Sequence, residues 1–332
     1  MDATRFYNEI RGGVNVTRYP ETCFFFDAPI NPQIALHTLR CDYDILHIHG
    51  VTPTISDLAI ILGRLKRKPI IFTYHNSPVP DYGGRCSRFI STLYVKVIDR
   101  FIVKLVNKVV TATTTFAIHN PTLKTLLNGT VAIPWGVHLP NPKPEISELN
   151  KNSIFKLLFV GQLKKYKGIN YLLEAVKILE DKGIALNLVI VGDGPERKNI
   201  EAYSRSLNCK AKITGSISES SLNHYYSASD ALVLPSISGR EAFGLVLLEA
   251  MSYGKPVVVS NIAGPNEVVK DGYNGLLVKS RSPQAIANAI EKLVKNPVLY
   301  QKLSENAMRT AEQYSWEKVG DRYIEVYTQA LQ

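Results

Sequence analysis

Short apolar runs alternate with longer amphipathic stretches along the whole chain. The runs that read as strands lie at residues 44–48, 69–74, 108–112, 129–133, 156–160, 186–191, 210–214, 231–234, 256–259 and 275–278. Strands of this length separated by helical patterns are typical of βαβ units, whose parallel sheets are covered by helices on both faces. The pattern therefore predicts an α/β protein built from doubly wound parallel sheets.

A proline-rich stretch separates two groups of these strands. Residues 134–152 contain four prolines and a polar tail, which cannot continue a helix or a strand. The 332 residues also exceed the roughly 250–300 that one hydrophobic core usually serves. We therefore predict domains at residues 1–140 and 141–314, followed by a helix at 315–332 that packs back toward the first domain.

Charge and cysteine content exclude several classes of protein. The net charge of +10 is spread evenly, with +5 in residues 1–150 and +5 in the remainder, which suits phosphate-bearing ligands or an anionic membrane. No focused basic stripe of the kind that binds nucleic acid is present. The four cysteines, Cys23, Cys41, Cys86 and Cys209, are too far apart to indicate a disulfide framework or a zinc site.

The hydropathy pattern also bears on location. No stretch approaches the roughly 20 apolar residues needed to span a bilayer, and the opening MDATRFYNEI lacks the order of a signal peptide. We expect a cytoplasmic protein, and association with the inner face of the membrane is an alternative.

The segment at residues 238–255 carries the most informative chemistry. A strand leads into a loop with Arg240 and Glu241, after which helix-forming residues begin. Free amides and the positive end of a helix dipole form a diphosphate site, and Gly244 permits close approach. The amides concerned belong to Phe243, Gly244, Leu245 and Val246. Glu241 and Glu249 would bracket the phosphates, one binding sugar hydroxyls and the other ribose hydroxyls.

The stretch EAFGLVLLE resembles the E-x7-E motif of retaining glycosyltransferases of family 4, which have the GT-B fold of two Rossmann-like domains facing a cleft. Five further segments match that family in order, namely FVGQLKKYKG, VIVGDGPE, SDALVLPS, GKPVVVS and DGYNGLLV. The resemblance covers residues 130–332, and extends more loosely over 40–130 through DYDILHIHG and PIIFTYHN. It implies transfer of a hexose from a UDP- or GDP-sugar to a hydroxyl acceptor with retention, without a metal or any cofactor besides the donor.

The resemblance also assigns roles to individual residues. Glu241 contacts the donor sugar, Glu249 holds the ribose, and Lys167 binds the diphosphate. A cation is wanted there because negative charge grows on the departing nucleotide in the transition state. We expect neither Lys167 nor Glu241 to belong to the core.

Two loops depart from the family pattern. After Gly161 the family has an arginine where this chain has Gln162, so a bidentate phosphate clamp is missing. Lys164, Lys165 or Arg240 could replace it, and we favour Arg240. The glycine-rich loop ending at Glu267 is also altered, although that glutamate would still lie near the donor sugar.

The first domain holds the histidines of interest. His75 matches a family histidine near the reacting sugar, although a structural role for a strand-end histidine stays open. His47 and His49 have the spacing of two ligands on one strand face, but we interpret them as structural and predict no metal. Gly12 and Gly13 precede a β-like run and are interpreted as a turn.

The strand, glycine loop and helix that usually open the GT-B fold are missing, so we expect an incomplete first domain. A start codon placed too far downstream, a degraded gene and a natural short form remain open.

The stretch at residues 89–106 keeps an apolar stripe at helical spacing, with basic residues elsewhere on its surface. We favour a helix packed on the sheet, and keep open a helix lying on an anionic membrane, since acceptors in the family are often lipid-linked.

Three other functions are compatible with a Rossmann-like fold. A homologue that binds nucleotide sugars without turnover is the first, and another GT-B enzyme such as a nucleotide-sugar epimerase is the second. A dehydrogenase is disfavoured because VGDGPE supplies only two glycines of the dinucleotide-binding motif.

Overall fold

The computed structural model describes the chain except for residues 1–5, 21–22, 26–27, 51–54, 76–84, 121, 127–128, 147–153, 239–240 and 242. The chain divides into two compact units. The first unit contains residues 1–133 together with 321–332, and the second contains residues 134–320.

The first unit opens with two antiparallel hairpins. Strands β1 (Tyr7–Arg11) and β2 (Val14–Arg18) pair through a turn at Gly12 and Gly13, whose φ angles are 57° and 82°. Positive φ is readily reached only by glycine, so the interpretation of this pair as a turn is confirmed. The second hairpin, β3 (Cys23–Phe25) and β4 (Ala28–Ile30), was not expected from the pattern.

A parallel sheet forms the centre of the first unit. Its elements in chain order are α1 (Pro32–Arg40), β5 (Leu46–His49), α2 (Ile55–Leu65), β6 (Ile70–Tyr74), α3 (Arg85–Tyr94), a π-helical turn (Val95–Asp99), α4 (Arg100–Val103), β7 (Lys108–Thr111), α5 (Thr114–His119) and β8 (Thr130–Ala132). The strand order β5-β6-β7-β8 places all four predicted strands side by side. Every residue of β6 is buried, as expected for a strand covered on both faces.

The second unit is the larger doubly wound part. Its elements are β9 (Phe155–Val160), α6 (Ile169–Asp181), β10 (Leu186–Val191), α7 (Arg197–Ser206), β11 (Ala211–Gly215), α8 (Glu219–Ala228), β12 (Ala231–Leu234), α9 (Leu245–Ser252), β13 (Val257–Ser260), α10 (Pro265–Val268), β14 (Gly275–Val278), α11 (Pro283–Lys295), α12 (Pro297–Gln313) and the start of α13 (Trp316–Leu331). All six predicted strands are present within two residues of the expected ends.

The strand order of this second sheet, β11-β10-β9-β12-β13-β14, reverses direction between β9 and β12. All pairings are parallel. In open sheets of this kind, ligands bind where the order reverses, outside the carboxyl ends of the strands. The loops that follow β9 and β12 are therefore the first place to look for a site.

The predicted apolar stripe at residues 89–106 is largely exposed, although we expected a helix packed on the sheet. Phe89, Leu93, Val97 and Phe101 are exposed, and a π-helical turn that the sequence pattern did not indicate interrupts the helix. The expectation that this stripe packs on the sheet is therefore wrong for most of its members. Among the described residues, no helix is both long enough and apolar enough to cross a membrane.

Candidate active site

The loops that follow β9 and β12 are fixed against each other at the reversal point of the second sheet. The amide of Ile237 donates to the carbonyl of Tyr166 at 2.8 Å. Gly168 has φ 67°, and a Cβ atom there would collide with the carbonyl oxygen of Pro235. Only glycine allows this approach, which sets the position of the lysine just before it.

That lysine and the first glutamate of the E-x7-E motif form an ion pair. Nζ of Lys167 lies 2.6 Å from Oε2 of Glu241, and the hydroxyl of Ser236 donates to the same oxygen at 2.9 Å. Lys167 is 7% exposed and Glu241 is 8% exposed, so the expectation that both lie outside the core is wrong. A buried ion pair that accepts a further hydrogen bond keeps its two side chains in one arrangement, whereas an exposed salt bridge does not.

The glycine loop after β9 lies beside this pair. A Cβ atom on Gly161 would lie 3.4 Å from Nζ of Lys167, so the absence of a side chain keeps this approach open. The amide of Gly161 donates to the carbonyl of Val191 at 3.0 Å, which anchors the loop to β10. Gln162 is exposed, and Arg240, our favoured substitute for the family arginine, lies outside the described residues.

Helix α9 begins where the diphosphate site was predicted. Gly244 precedes it with φ 79°, and its carbonyl accepts from the amide of Leu247 at 2.8 Å. The first amides of an α-helix have no acceptor within the helix, so those of Leu245 and Val246 are available to an anion. Phe243 is buried against the ring of Tyr314, which fixes the chain entering the helix.

Glu249 lies deeper on α9 and borders a cavity of about 350 Å³. Oε2 of Glu249 accepts from the hydroxyl of Tyr226 on α8 at 2.5 Å. Burial raises the pKa of Glu249, the bond from Tyr226 opposes that rise, and the charge of Glu219 adds to it. The cavity also borders Leu245, so one cavity joins the predicted phosphate-binding turn to the predicted ribose-binding carboxylate.

Two residues of the site, Ser236 and Tyr226, were missed by the sequence analysis. Ser236 ends the SDALVLPS segment, and a serine two residues after a buried strand, in a loop that resembles a donor-binding loop, is a signal that could have been used. Tyr226 is buried, and a buried tyrosine hydroxyl needs a partner. Burial itself is not visible in the pattern around Tyr226, so this contact required the structure.

In the first unit, His75 lies in a row of three histidines at the carboxyl ends of β5 and β6. Nε2 of His75 is 3.2 Å from Nδ1 of His49, and the rings of His49 and His47 are 4.2 Å apart. His47 is held by the hydroxyls of Tyr327 and Thr73, each at 2.7 Å. Burial, with a smaller contribution from neighbouring histidines, lowers the pKa of His47 and of His75 to about 4.

The structure thus brings Lys167, Glu241 and Gly161 together and places Glu249 beside the cavity that Leu245 also lines, while His75 belongs to the first unit. Glu267 lies on α10. Within the described ranges, no group of three or more His, Cys, Asp or Glu side chains is placed to hold a metal ion.

The chain is similar to known glycosyltransferases in sequence and in structure. The family model described as glycosyl transferases group 1 matches residues 143–310. The uncharacterized glycosyltransferase MJ1607 of Methanocaldococcus jannaschii is 35% identical over 180 residues, covering 53% of this chain and only 45% of that relative. The uncharacterized glycosyltransferase MJ1069 of the same organism is 29% identical over 340 residues, covering 96% of this chain and 86% of the relative.

Among solved structures, Anabaena HepE in complex with UDP-glucose superposes with a TM-score of 0.72 at 19% identity, covering 94% of this chain and 85% of HepE. At that level of identity the likeness establishes the fold, which is the GT-B arrangement of Rossmann-like domains.

Proposed function

The chain belongs to the glycosyl transferases group 1 family, and on that premise we propose that it transfers a hexose from a UDP- or GDP-sugar to a hydroxyl acceptor with retention at the anomeric carbon. The observation that carries the proposal is the buried Lys167–Glu241 pair at the reversal point of the second sheet, beside the first turn of α9. The complex of HepE with UDP-glucose supports a nucleotide-sugar donor.

In the proposed reaction, the bond between the anomeric carbon and the diphosphate oxygen breaks. Its electron pair stays on the nucleotide, whose negative charge therefore grows. The acceptor oxygen bonds to the anomeric carbon, and its proton passes to the departing diphosphate or to water. A group that binds the diphosphate more strongly as this charge develops lowers the barrier.

Lys167 would supply that stabilisation. Its ammonium is held by Glu241 and shielded from solvent, so it does not have to reorganise when charge develops. The amides of the first turn of α9 would bind the same diphosphate from another side. Gln162 stands where the family has an arginine. Lys167 and the amides of α9 would therefore contribute a larger share of the free energy of diphosphate binding.

Glu241 and Glu249 would bind the two sugars of the donor. One oxygen of Glu241 is occupied by Lys167 and Ser236, which leaves the other to accept from a hexose hydroxyl. Glu249 borders the cavity next to the first turn of α9, where a ribose joined to the diphosphate would reach it. His75 matches a family histidine near the reacting sugar, and its contact with the hexose stays a prediction.

The test is donor turnover by the purified chain with a panel of UDP- and GDP-sugars, with release of the nucleoside diphosphate as the readout. We expect one donor to be used, and Lys167→Met to reduce turnover by about 10²–10³, as is typical for loss of one preorganised contact. Lys177→Met is the matched control, because it removes an exposed ion pair with Asp181 on α6.

Equal loss in both variants, or normal turnover in Lys167→Met, would remove the proposed role of the pair. Binding of UDP or GDP without turnover of any donor would instead favour a nucleotide-binding homologue. Conversion of the hexose to its epimer would favour an epimerase.

A further inference from the structure

One side of the α3–α4 segment presents apolar side chains to solvent. Six large side chains between residues 89 and 101 are 43% to 69% exposed: Phe89, Ile90, Leu93, Val97, Ile98 and Phe101. We refer to these six as the apolar face. Soluble proteins seldom leave such a contiguous set uncovered, and a patch of this kind marks an interaction surface.

The apolar face is distinct from the side of the segment that packs into the core. Val95, Ile102 and Val103 are buried there, and the first of them lies in the π-helical turn. That turn also buries Asp99, whose Oδ2 accepts from the hydroxyls of Tyr74 and Thr122. The segment is therefore anchored by other residues, and the six exposed side chains are not needed to hold it on the sheet.

The charged side chains that residues 89–104 of this segment show to solvent are positive. Lys96 and Lys104 are exposed, and Arg100 is half-buried. The single acidic residue between residues 89 and 104 is Asp99, which is 2% exposed and engaged inside the unit. The segment therefore shows solvent an apolar surface accompanied by cations.

We propose that the apolar face binds an anionic membrane surface. A helix of this character lies in the plane of the interface with its apolar side chains in the headgroup and acyl boundary. Lysine stems extend along the apolar region while their ammonium groups reach lipid phosphates. Two copies of the chain are a poorer fit, because a two-fold contact would bring the same cations together.

The test measures co-sedimentation of the full chain with vesicles of phosphatidylglycerol and phosphatidylcholine, and with vesicles of phosphatidylcholine alone. We expect strong preference for the anionic vesicles, and weakening by added salt. Val97→Ser combined with Phe101→Ser should reduce binding at least tenfold. The matched control, Val298→Ser combined with Ile324→Ser, changes two exposed apolar residues on other helices and should bind as the parent does.

The cations are tested separately. Lys96→Gln combined with Lys104→Gln should weaken binding by about 25-fold, since each surface cation contributes a factor of about five. Lys292→Gln combined with Lys302→Gln makes the same change in net charge on α11 and α12, and should have a much smaller effect. Thermal unfolding and nucleotide binding of all variants confirm that the fold is intact.

Failure of the parent to bind vesicles, or equal binding by the Val97→Ser, Phe101→Ser variant, would overturn the proposal. A dimer in solution that this variant dissociates would do the same, and would assign the face to a second copy.

Discussion

The ammonium of Lys167 lies 2.6 Å from a carboxylate oxygen of Glu241, although 74 residues separate the two in sequence. Both side chains are buried, and they meet where the loops after β9 and β12 touch. A charge pair in such a place is costly to break from one side, because the remaining charge has neither water nor partner.

Removing one member of this pair should therefore cost stability as well as activity. We expect Lys167→Met to lower the free energy of unfolding by about 3 kcal/mol, because Glu241 is left buried and uncompensated. The double variant Lys167→Met, Glu241→Gln should lose less than the sum of the single losses. Urea unfolding measures all four proteins, and strictly additive losses would show that the pair is not coupled.

The approach of Gly168 to Pro235 should be sensitive to a single methyl group. Gly168→Ala combines strain at a positive φ with a collision against a carbonyl oxygen, and we expect a loss of about 3 kcal/mol. Gly183→Ala is the control, since its φ of 76° is similar and a Cβ atom there meets nothing within 4 Å. Gly183→Ala should lower the free energy of unfolding by about 1 kcal/mol. Similar losses in thermal unfolding of the two variants would show that the collision is absorbed elsewhere.

The hydroxyl of Tyr226 should tune nucleotide binding through Glu249. Burial raises the pKa of Glu249 and the Tyr226 bond opposes this, so Tyr226→Phe should raise that pKa further. If the carboxylate accepts from the ribose, affinity for UDP or GDP increases as the pH rises through the pKa of Glu249. In Tyr226→Phe this increase should shift to higher pH.

Calorimetry across pH 5 to 8 measures this shift. Tyr203→Phe is the matched control, because Tyr203 donates to Glu174 at 2.7 Å on another part of the same unit. Unchanged pH profiles in both variants would contradict the positioning role of Tyr226.

The histidine row should make the first unit sensitive to acid. Burial lowers the pKa of His47 from 6.5 to about 4, so the folded state favours the neutral ring. The resulting stabilisation is complete above about pH 6.5 and is lost as the pH falls toward 4. The protection factors of the β5 and β6 amides against hydrogen exchange should therefore fall over this range.

His47→Gln removes this titration and should make the protection of β5 and β6 less dependent on pH. Some dependence should remain, because the pKa values of His49 and His75 are lowered as well. His224→Gln, at an exposed position on α8, is the control and should leave the dependence unchanged. An identical slope in parent and His47→Gln would show that His47 does not contribute.

The sequence by itself determined the strands of both parallel sheets. The run at residues 231–234, for example, is apolar and buried at every position, as expected for a strand covered on both faces. The sequence also determined the turn at Gly12 and Gly13. In the second unit, the E-x7-E segment and its resemblance to a known family indicated which loops would carry chemistry.

Only the tertiary structure decided how the predicted site residues relate to one another. The sequence led us to expect neither Lys167 nor Glu241 in the core, whereas the contact between the loops after β9 and β12 buries them as a pair. The contact of Tyr226 with Glu249 joins two helices, and no local pattern encodes such a distance.

In the α3–α4 segment the sequence pattern predicted burial, and the structure shows exposed side chains. Helical periodicity located its apolar stripe, but the structure buries Val95 and Asp99 of the π-helical turn and leaves Val97 and Phe101 in solvent. Periodicity fixes which residues share one side of a regular helix. Which side meets the core depends on the packing of the whole unit, because the buried contacts of Asp99 and its neighbours outweigh the local pattern.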